Sequence, residues 1–523
     1  MDKVYHHRQE KLLAERGSIW DRKGTLLAFS EITGFLKIDW HRVKGDTVNK
    51  IINLINSYFP QIGESLKQKG SKINNQLLRG IRYEDGKEFN RILRKEGLSH
   101  LVGVKNVFHR HYPLPYFNNI LGSFSESEGK GLWGLEAVVE KFLRGKDGFI
   151  IYQKNAWGRT FPYPSYPREE PERGCDIYLT LDKDVMEICF EELRKGVEEF
   201  RAKKGSVLVL NCETGEVLAM ADYPFFDEDA RFLRPYALLW EFEPGSVFKF
   251  LIAASALESK NSESFLTKKY DVSSGEVKVD KKIIREYHNK KLGVITFFDI
   301  FTFSSNCGVA LLTSQLSPQD YYSLLVDFGF GSLTGIELEE RRGYIPALGL
   351  LRTGKKCPSH LYACNSFGQG LRVTLIQLAC AYLGIANNGL LLRPYIIKEI
   401  KKGTETVFSG KRLVVRRVIS EKTAENLKEI LSSVCEKGTG KNAQIFGLQV
   451  CGKTGTGEKP YPGGGGYSEK TVTTFIGFFP KTNPKYLIAV MLDEPRGPAA
   501  ENAAVIFKRI GEKIWFLSQF AEF

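Results

Sequence analysis

The stretch EFEPGSVFKF, residues 241–250, decides how the C-terminal part of the chain folds. Pro244 and Gly245 indicate a turn, and the apolar residues that follow as far as Leu257 predict a helix that is apolar on almost every face. A helix of this kind belongs in the interior of a domain. Ser246 is a candidate N-cap, so a capped core helix is the purely structural interpretation of the stretch.

Lys249 favours a chemical interpretation of the same stretch. It stands three residues after the candidate cap, where a capping box has Glu or Gln. A cation in the first turn opposes the helix macrodipole and burial disfavours the ammonium form, so we expect the pKa of Lys249 to fall toward neutrality. Because residues i and i+3 share a helix face, the amine is expected within reach of the Ser246 hydroxyl, as a base beside a nucleophile. The spacing alone is not specific, since Ser127 and Lys130 share it in a polar, glycine-rich stretch.

The composition narrows the class of protein. The chain has 523 residues, of which 42% are hydrophobic and 26% charged, as in a folded protein of two or more domains. The net charge of +13 is scattered among acidic residues, without a zinc-finger spacing or an aromatic-basic RNA motif, so we expect no nucleic-acid partner. Nine cysteines without a C-x-x-C pair predict buried free thiols and argue against a zinc site.

The sequence contains no apolar run of the roughly 18 residues that a transmembrane helix needs. Its most apolar helical stretch, LIQLACAYLGIA at 375–386, is too short and predicts a core helix. The first residues, MDKVYHHRQEKLLAERG, lack the apolar centre of a secretion signal.

A proline-rich stretch, FPYPSYPREEPERG at 161–174, indicates an extended connector between two domains. We place the boundary at its end, giving an N-terminal domain at 1–174 and a C-terminal domain at 175–523. The C-terminal domain begins with a predicted strand, helix and β-hairpin, and closes with three predicted strands and a helix. Strands at both ends with helices between them predict an α+β domain whose sheet unites its two ends.

Two further short elements are candidates to join Ser246 and Lys249. Ser304-Ser305-Asn306 follows an apolar piece and places a hydroxyl and an amide two residues apart. Lys453-Thr454-Gly455-Thr456 lies at the end of a predicted strand, where glycine allows a close backbone approach and Thr456 carries an exposed amide N–H. Taken singly, the first element is explained as a turn or cap and the second as a hairpin bend. Together and in this order they indicate a catalytic site.

The three elements resemble the S-x-x-K, S-D-N and K-T-G signature of the penicillin-binding proteins and class A β-lactamases, from which this sequence departs by having Ser-Ser-Asn as the middle element. The resemblance to class B of that family covers nearly the whole chain. It rests also on pedestal-type motifs at 16–24 (RGSIWDRKG), 131–136 (GLWGLE) and 143–145 (LRG), and on SFGQG at 366–370. It implies an α+β serine transpeptidase domain, with an antiparallel sheet flanked by helices and a helical subdomain, preceded by an elongated mixed α/β pedestal domain of the dimerisation type.

The resemblance implies peptidoglycan D,D-transpeptidation through a serine acyl-enzyme. Ser246 would attack the carbonyl between the two terminal D-alanines of a stem peptide, and Lys249 would accept its proton. Ser304 would relay a proton between the lysines and the leaving amine, while Asn306 would bind the stem-peptide amide.

The remaining motif would bind the end of the donor peptide. Lys453 would place a charge near its carboxylate, and the hydroxyls of Thr454 and Thr456, on either side of Gly455, would donate hydrogen bonds to it. The backbone N–H groups of Ser246 and Thr456 would form the oxyanion hole. No metal or cofactor is implied.

Partners and location follow from the same resemblance. The substrates would be peptidoglycan stem peptides ending in D-Ala-D-Ala, β-lactam antibiotics would be covalent inhibitors, and a multi-spanning glycan polymerase with other division proteins would contact the pedestal. The segments at 475–480 (FIGFFP) and 493–495 (DEP) look most like the septal members. The expected location is the extracytoplasmic face of the bacterial cytoplasmic membrane, in the periplasm or at the cell surface, with an anchor expected upstream of this chain.

Three other functions stay open at this stage. The first is an elongation-type transpeptidase. The second is a D,D-carboxypeptidase or a β-lactamase, although GIELEERRGY at 335–344 lacks the Glu-x-x-Leu-Asn pattern of class A β-lactamases. The third is a non-catalytic β-lactam sensor or a division scaffold.

Overall fold

A computed structural model describes residues 6–69, 80–126, 128–154, 160–162, 167–224, 234–280, 282–353, 357–358, 360–461 and 466–520. Ser127, the serine of the second S-x-x-K spacing, lies outside these residues. No helix within the described ranges is long and apolar enough to cross a membrane.

The N-terminal domain combines short helices with strands. Strands β1 to β10 are His6–Leu12, Ile19–Trp20, Leu26–Ile38, Ile81–Arg82, Val102–His111, Ser123–Ser125, Lys130–Trp133, Gly148–Lys154, Thr160–Pro162 and Arg168–Glu169. Helices α1 to α6 are Asp46–Tyr58, Pro60–Lys69, Tyr83–Lys95, Asn118–Leu121, Gly134–Val138 and Glu140–Leu143. The first three helices, the C-terminal end of β3 and the N-terminal end of β5 enclose a small hydrophobic core that is separate from the main core.

The C-terminal domain contains the longer elements. Strands β11 to β26 are Asp176–Leu179, Lys204–Asn211, Val217–Tyr223, Lys269–Asp271, Glu276–Val279, Lys282–Arg285, Val294–Thr296, Arg352–Thr353, Cys357–Pro358, Leu390–Leu392, Ile397–Lys402, Glu405–Ser409, Val414–Arg417, Cys451–Pro460, Tyr467–Phe479 and Tyr486–Asp493. Helices α7 to α17 are Lys183–Glu199, Tyr236–Leu239, Phe250–Glu258, Ser262–Thr267, Phe297–Thr302, Asn306–Thr313, Pro318–Asp327, His360–Ser366, Leu375–Ala386, Glu421–Glu436 and Ala503–Phe520.

An antiparallel sheet of order β13-β12-β26-β25-β24 forms the centre of this domain. It pairs β12, from the start of the domain, with β26, its last strand, which confirms the predicted α+β architecture, although the first predicted strand, β11, lies in a different sheet. Helices α7 and α17 pack against each other and against the sheet, and α15 packs on β25 and β26. Every residue of α15 is buried, as its apolar sequence predicts.

A second sheet joins the two domains. Strand β11 pairs in parallel with β2 of the N-terminal domain and antiparallel with β21 of the C-terminal domain. Ile177 is therefore opposite both Ile19 and Ile400, and all three side chains are buried.

The proline-rich stretch at 161–174 is not the extended spacer that its composition predicts. Strands β9 and β10 both pair with β8, so the stretch folds back onto the N-terminal domain on either side of 163–166, which lie outside the described residues. Pairing with β8 satisfies backbone groups that a free connector would leave to water.

The N-terminal domain is organised around a buried ion cluster. The Glu136 carboxylate accepts hydrogen bonds from Arg16 Nε (2.8 Å), Arg110 Nε (2.8 Å) and the Tyr112 hydroxyl (3.2 Å). The glutamate is fully buried and the two arginines are 5% exposed. Arg16 and Glu136 come from the first two pedestal-type motifs, so this cluster ties those motifs together.

Eight cysteines whose side chains the structure describes are free thiols, at 175, 189, 212, 307, 364, 380, 435 and 451, and six of these eight are buried. This agrees with the sequence-based expectation.

Candidate active site

Ser246 lies in a 3-10 turn, Gly245–Lys249, that leads directly into α9. The predicted N-cap role is wrong, because this turn has no side-chain cap and Ser246 lies inside it rather than before it. The Ser246 side chain is half-buried, whereas Lys249 is fully buried.

Two glycines allow the Ser246 turn to pack against strand β24. Gly245 has a φ of +60°, and a Cβ atom there would lie 2.3 Å from the Thr456 carbonyl oxygen. A Cβ atom at Gly457 would lie 1.9 Å from the carbonyl oxygen of Glu243. A side chain at either position would push the Ser246 turn away from the strand.

The Lys453-Thr-Gly-Thr456 segment lies within the first half of β24, not at the end of a strand as the sequence analysis expects. In the register with β25, Lys453 is opposite Ile476 and Thr456 is opposite Thr473. Strand β24 is an edge strand, so its other side faces the Ser246 turn instead of a sixth strand. This places the motif along one wall of the site.

Lys249 connects the first motif to the second. Its Nζ donates hydrogen bonds to the Ser304 carbonyl oxygen (2.7 Å), the Ser304 hydroxyl (3.2 Å) and Asn306 Oδ1 (2.8 Å). The two carbonyl-type oxygens accept hydrogen bonds from Nζ, whereas the Ser304 hydroxyl can accept one from the charged amine or donate one to the neutral amine. The expected contact with the Ser246 hydroxyl is not among these contacts, although both residues belong to the same turn.

Lys453 reaches the same hydroxyl from the opposite wall. Its Nζ donates hydrogen bonds to Ser304 Oγ (3.1 Å) and to the Thr454 carbonyl oxygen (3.1 Å). The Ser304 hydroxyl therefore lies between two buried amines. Thr454 Oγ1 is 2.9 Å from Thr439 Oγ1, a contact that no sequence pattern indicates.

Burial lowers the pKa of both lysines. Desolvation brings the pKa of Lys249 down to about 7, against smaller raising effects from Glu286 and Cys307. The pKa of Lys453 falls well below its ordinary value because it is buried and because Lys249 places a second positive charge nearby. The expectation that Lys249 titrates near neutrality thus agrees with its environment.

The Ser304–Asn306 segment is a strained turn that begins a helix. Ser304 has a φ of +58°, which is uncommon for a residue with a side chain. Ser305 is the N-cap of α12, and its hydroxyl accepts a hydrogen bond from the Gly308 N–H (2.8 Å). The Ser305 hydroxyl also donates to the carboxylate of Glu286, a residue that the sequence analysis missed.

The SFGQG segment at 366–370 borders the site through the turn of Ser246. The Gly245 N–H donates to the Gly368 carbonyl oxygen (3.1 Å). Glu243 Oε1 accepts hydrogen bonds from the Gly370 N–H (3.2 Å) and the Tyr467 hydroxyl (3.2 Å), and burial raises the pKa of this carboxyl group.

Comparisons with known proteins agree with this geometry. Residues 205–512 match the family model of the penicillin-binding protein transpeptidase domain, and residues 11–179 match that of the penicillin-binding protein dimerisation domain. The chain belongs to the class B penicillin-binding proteins. The two matches fall on the C-terminal and N-terminal domains described above, which confirms the predicted two-domain architecture.

Relatives of this class B penicillin-binding protein cover most of its length. Stage V sporulation protein D of Bacillus subtilis is 31% identical over 92% of this chain and 75% of its own. The probable peptidoglycan D,D-transpeptidase PenA of Neisseria meningitidis is 31% identical over 93% of this chain and 81% of its own. The class B penicillin-binding protein described here is accordingly a serine-type D,D-transpeptidase of peptidoglycan.

Solved structures share the fold of this penicillin-binding protein. Penicillin-binding protein 3 of Mycobacterium tuberculosis, in its aztreonam complex, superposes with a TM-score of 0.72 at 25% identity, covering 98% of this chain and 97% of the other. Penicillin-binding protein 2X of Streptococcus thermophilus gives a TM-score of 0.76 at 22% identity, covering 98% and 81% of the two chains. At 22% identity, the similarity to penicillin-binding protein 2X shows a shared fold.

Proposed function

We propose that Ser246 is the acylated nucleophile of a septal-type peptidoglycan D,D-transpeptidase, with Lys249 as its base. The observation that carries the proposal is the convergence of two buried amines on the Ser304 hydroxyl, one at 3.2 Å from Lys249 and one at 3.1 Å from Lys453. Burial lowers the pKa of both lysines, and the charge of Lys249 lowers that of Lys453 further. A lysine that loses its proton near neutral pH is a competent general base.

In the acylation step, the Ser246 oxygen attacks the carbonyl carbon between the two terminal D-alanines. The proton leaves Ser246 for the neutral amine of Lys249, the C–N bond to the last D-alanine breaks, and that amine leaves after it receives a proton through Ser304. The Ser304 hydroxyl contacts both lysines, which supports its role as the relay.

Binding of the donor peptide falls to the third motif and to Asn306. We assign the oxyanion hole to the backbone N–H groups of Ser246 and Thr456, because the Ser246 turn packs directly on β24 at this point. Lys453 and the hydroxyls around Gly455 line the wall where the substrate carboxylate would bind, and Asn306 would hold the stem-peptide amide.

The amine of a second stem peptide then attacks the Ser246 ester, which forms the cross-link and releases the serine. β-Lactams resemble the D-Ala-D-Ala end, so they would acylate Ser246 by the same route and leave slowly. A carboxypeptidase or a β-lactamase would instead use water as the acceptor.

The septal assignment rests on the segments at 475–480 and 493–495, and the elongation type remains the alternative. In a septal role the protein would act outside the cytoplasmic membrane, beside a multi-spanning glycan polymerase and other division proteins that contact the N-terminal domain. Depletion in the parent bacterium should then give filaments with blocked septa, whereas swollen or rounded cells would assign it to elongation.

The first test is covalent labelling by a fluorescent penicillin, followed by denaturing electrophoresis. The wild-type protein should carry label for tens of minutes, and Ser246→Ala should carry none. Ser127→Ala is the matched control, because Ser127 has the same spacing to a lysine, and it should label like the wild type. Label on Ser246→Ala would place the nucleophile elsewhere.

Absence of label on the wild type separates the other functions. Intact penicillin in solution would indicate a sensor or scaffold, and hydrolysed penicillin a fast β-lactamase. With a D-Ala-D-Ala donor and an acceptor amine, cross-linked product distinguishes the transpeptidase from a carboxypeptidase, which would release D-alanine without it.

A further inference from the structure

We infer that Glu286 is a positioning residue for acyl transfer, whose buried carboxylate fixes the turn that presents the Ser304 hydroxyl to the two lysines. The inference rests on the proposed function and names a residue outside its three motifs. Glu286 lies between β16 and the short helical turn Tyr287–Asn289. Its sequence context, KKIIREYHNKK at 281–291, gives no sign of a buried acid.

The Glu286 carboxylate binds the second motif through three groups. It accepts hydrogen bonds from the Ser305 hydroxyl, the Asn306 N–H (2.8 Å) and the Cys307 N–H (3.3 Å). The Glu286 N–H donates to the Gly275 carbonyl oxygen (3.0 Å), so the β15–β16 hairpin holds the residue in place. The contacts therefore run from a separate hairpin to the catalytic segment.

The Glu286 carboxylate needs these hydrogen bonds because it is buried. Glu286 is only 5% exposed, and a carboxylate removed from water is tolerated only where hydrogen bonds or positive charge compensate it. The two amide donors belong to the first turn of α12, where a negative charge also complements the helix dipole. The Glu286 carboxylate therefore fixes the residue at which α12 begins, and the first turn of α12 in turn holds the carboxylate in place.

The contacts act on a strained residue. Ser304, with its φ of +58°, directly precedes the three residues that Glu286 holds. A strained backbone persists only where its surroundings over-determine it. Without the carboxylate, the turn can relax and move the Ser304 hydroxyl away from the amines.

Glu286 also supplies negative charge to the site. Besides burial, the groups that act on the pKa of Lys249 are Glu286 and Cys307, and the charge of Lys249 in turn lowers the pKa of Lys453. Burial raises the pKa of the Cys307 thiol to about 12, so this thiol is neutral and Glu286 is the anion. Its attraction raises the pKa of Lys249 against the larger lowering by burial, which couples the carboxylate to the base as well as to the turn.

The test compares Glu286→Gln, Glu286→Asp and Glu276→Gln in the full chain. Glu276 is the matched control, since it lies on β15 of the same hairpin but is half-exposed and pairs with Arg285 (3.5 Å). The second-order rate of acylation by a fluorescent penicillin is measured from pH 5 to 9, together with the melting temperature of each variant.

Glu286→Gln should acylate about 100-fold more slowly at its optimum, because a small displacement of a catalytic group has effects of that order. It should also reach half of its maximal rate at lower pH than the wild type, because Lys249 loses a stabilising negative charge. Glu286→Asp keeps the charge but shortens the side chain, so it should lose rate while the pH midpoint stays in place. Glu276→Gln should match the wild type in both respects.

A wild-type rate and pH profile in Glu286→Gln would overturn the inference. If Glu286→Gln keeps the wild-type pH midpoint and loses acylation rate only in proportion to its unfolded fraction, the inference is also overturned, because Glu286 would then act only as a structural helix cap. If Glu286→Gln does not fold, a wild-type rate in Glu286→Asp overturns the positioning role. Failure of the proposed function is seen separately, as absence of label on the wild type.

Discussion

Two clusters of buried charge in this chain have opposite chemical consequences. In the N-terminal domain, Arg16 and Arg110 surround the carboxylate of Glu136 and bind it directly. In the C-terminal domain, Lys249 and Lys453 are as deeply buried, but both donate to neutral oxygens around Ser304. Arginine keeps its charge under such conditions, whereas lysine releases its proton.

The N-terminal domain uses its buried charges for structure, whereas the C-terminal domain uses its buried lysines for proton transfer. A buried carboxylate held by two arginines has a defined geometry, and removing one partner is costly because it leaves an uncompensated buried charge. Two buried lysines that share a neutral hydroxyl can exchange a proton with it.

Lys249→Met should lower the rate of acylation by about 10³-fold, because it removes the general base. The melting temperature should stay the same or rise, since a buried cation is replaced by an apolar side chain of similar length. Stopped-flow labelling and thermal melts check both. Lys428→Met is the control, because Lys428 is also buried but bonds Asn388 Oδ1 (2.6 Å) outside the site, and its acylation rate should not change.

Glu136→Ala should lower stability and leave the rate of acylation unchanged, the opposite of Lys249→Met. It leaves Arg110 buried without a carboxylate and Arg16 with only that of Glu140 (2.7 Å), and should lower the free energy of unfolding of the N-terminal domain by about 3–5 kcal/mol. Urea denaturation followed by the tryptophan fluorescence of this domain measures the loss. Acylation per folded molecule should be unchanged; a slower rate would mean that the two clusters are not independent.

The pH dependence of acylation tests the lysine side of the comparison. Lys249, with a pKa of about 7, must be neutral to accept a proton, so the rate should rise with pH and level off above about 7. At pH 6 the rate should be about tenfold below this plateau, as the neutral fraction requires. The residual activity of Lys249→Met should lack this rise, and a rise in the variant would assign the titration to another group.

Arg509→Ala removes an exposed ion pair, for comparison with the buried cluster around Glu136. Arg509 and Glu199 form an ion pair at 2.6 Å between α17 and α7, but their side chains are 34% and 44% exposed. Solvent screens such a pair, so its loss should cost less than about 1 kcal/mol in urea denaturation and should leave acylation unchanged. A larger cost would mean that the Arg509 side chain matters through packing as well as charge.

Much of the architecture was predictable, because it follows from local patterns. The strands and helices at both ends of the C-terminal domain have the alternation and the apolar periodicity that define them, and the sheet unites them as expected. The proline-rich stretch misled because composition indicates extended backbone but not its pairing partner. Strand β8, which pairs with both β9 and β10, directly precedes them in the chain, but nothing in the spacing of the prolines indicates that pairing.

The candidate site was predictable only in its motifs. Their order along the chain indicated that Ser246, Ser304 and Lys453 belong together, but not which atoms meet. The N-cap prediction for Ser246 failed because propensity does not distinguish a residue before a helix from one inside a 3-10 turn. Glu286 and Thr439 carry no local signal, since a glutamate between charged residues or a threonine in a turn is usually solvent-exposed.

The strand shared by the two domains has a mechanical consequence. The segments 15–22 and 174–181 run side by side and are joined by hydrogen bonds at 2.9 Å from Gly174 to Glu15, from Ile177 to Ser18 and from Arg22 to Leu181. A hinge needs a few residues free to change their backbone angles, and this junction has its backbone tied on both sides of β11. A force applied to the N-terminal domain would therefore load these backbone hydrogen bonds in shear, and the junction would transmit it to the C-terminal domain without bending at a hinge.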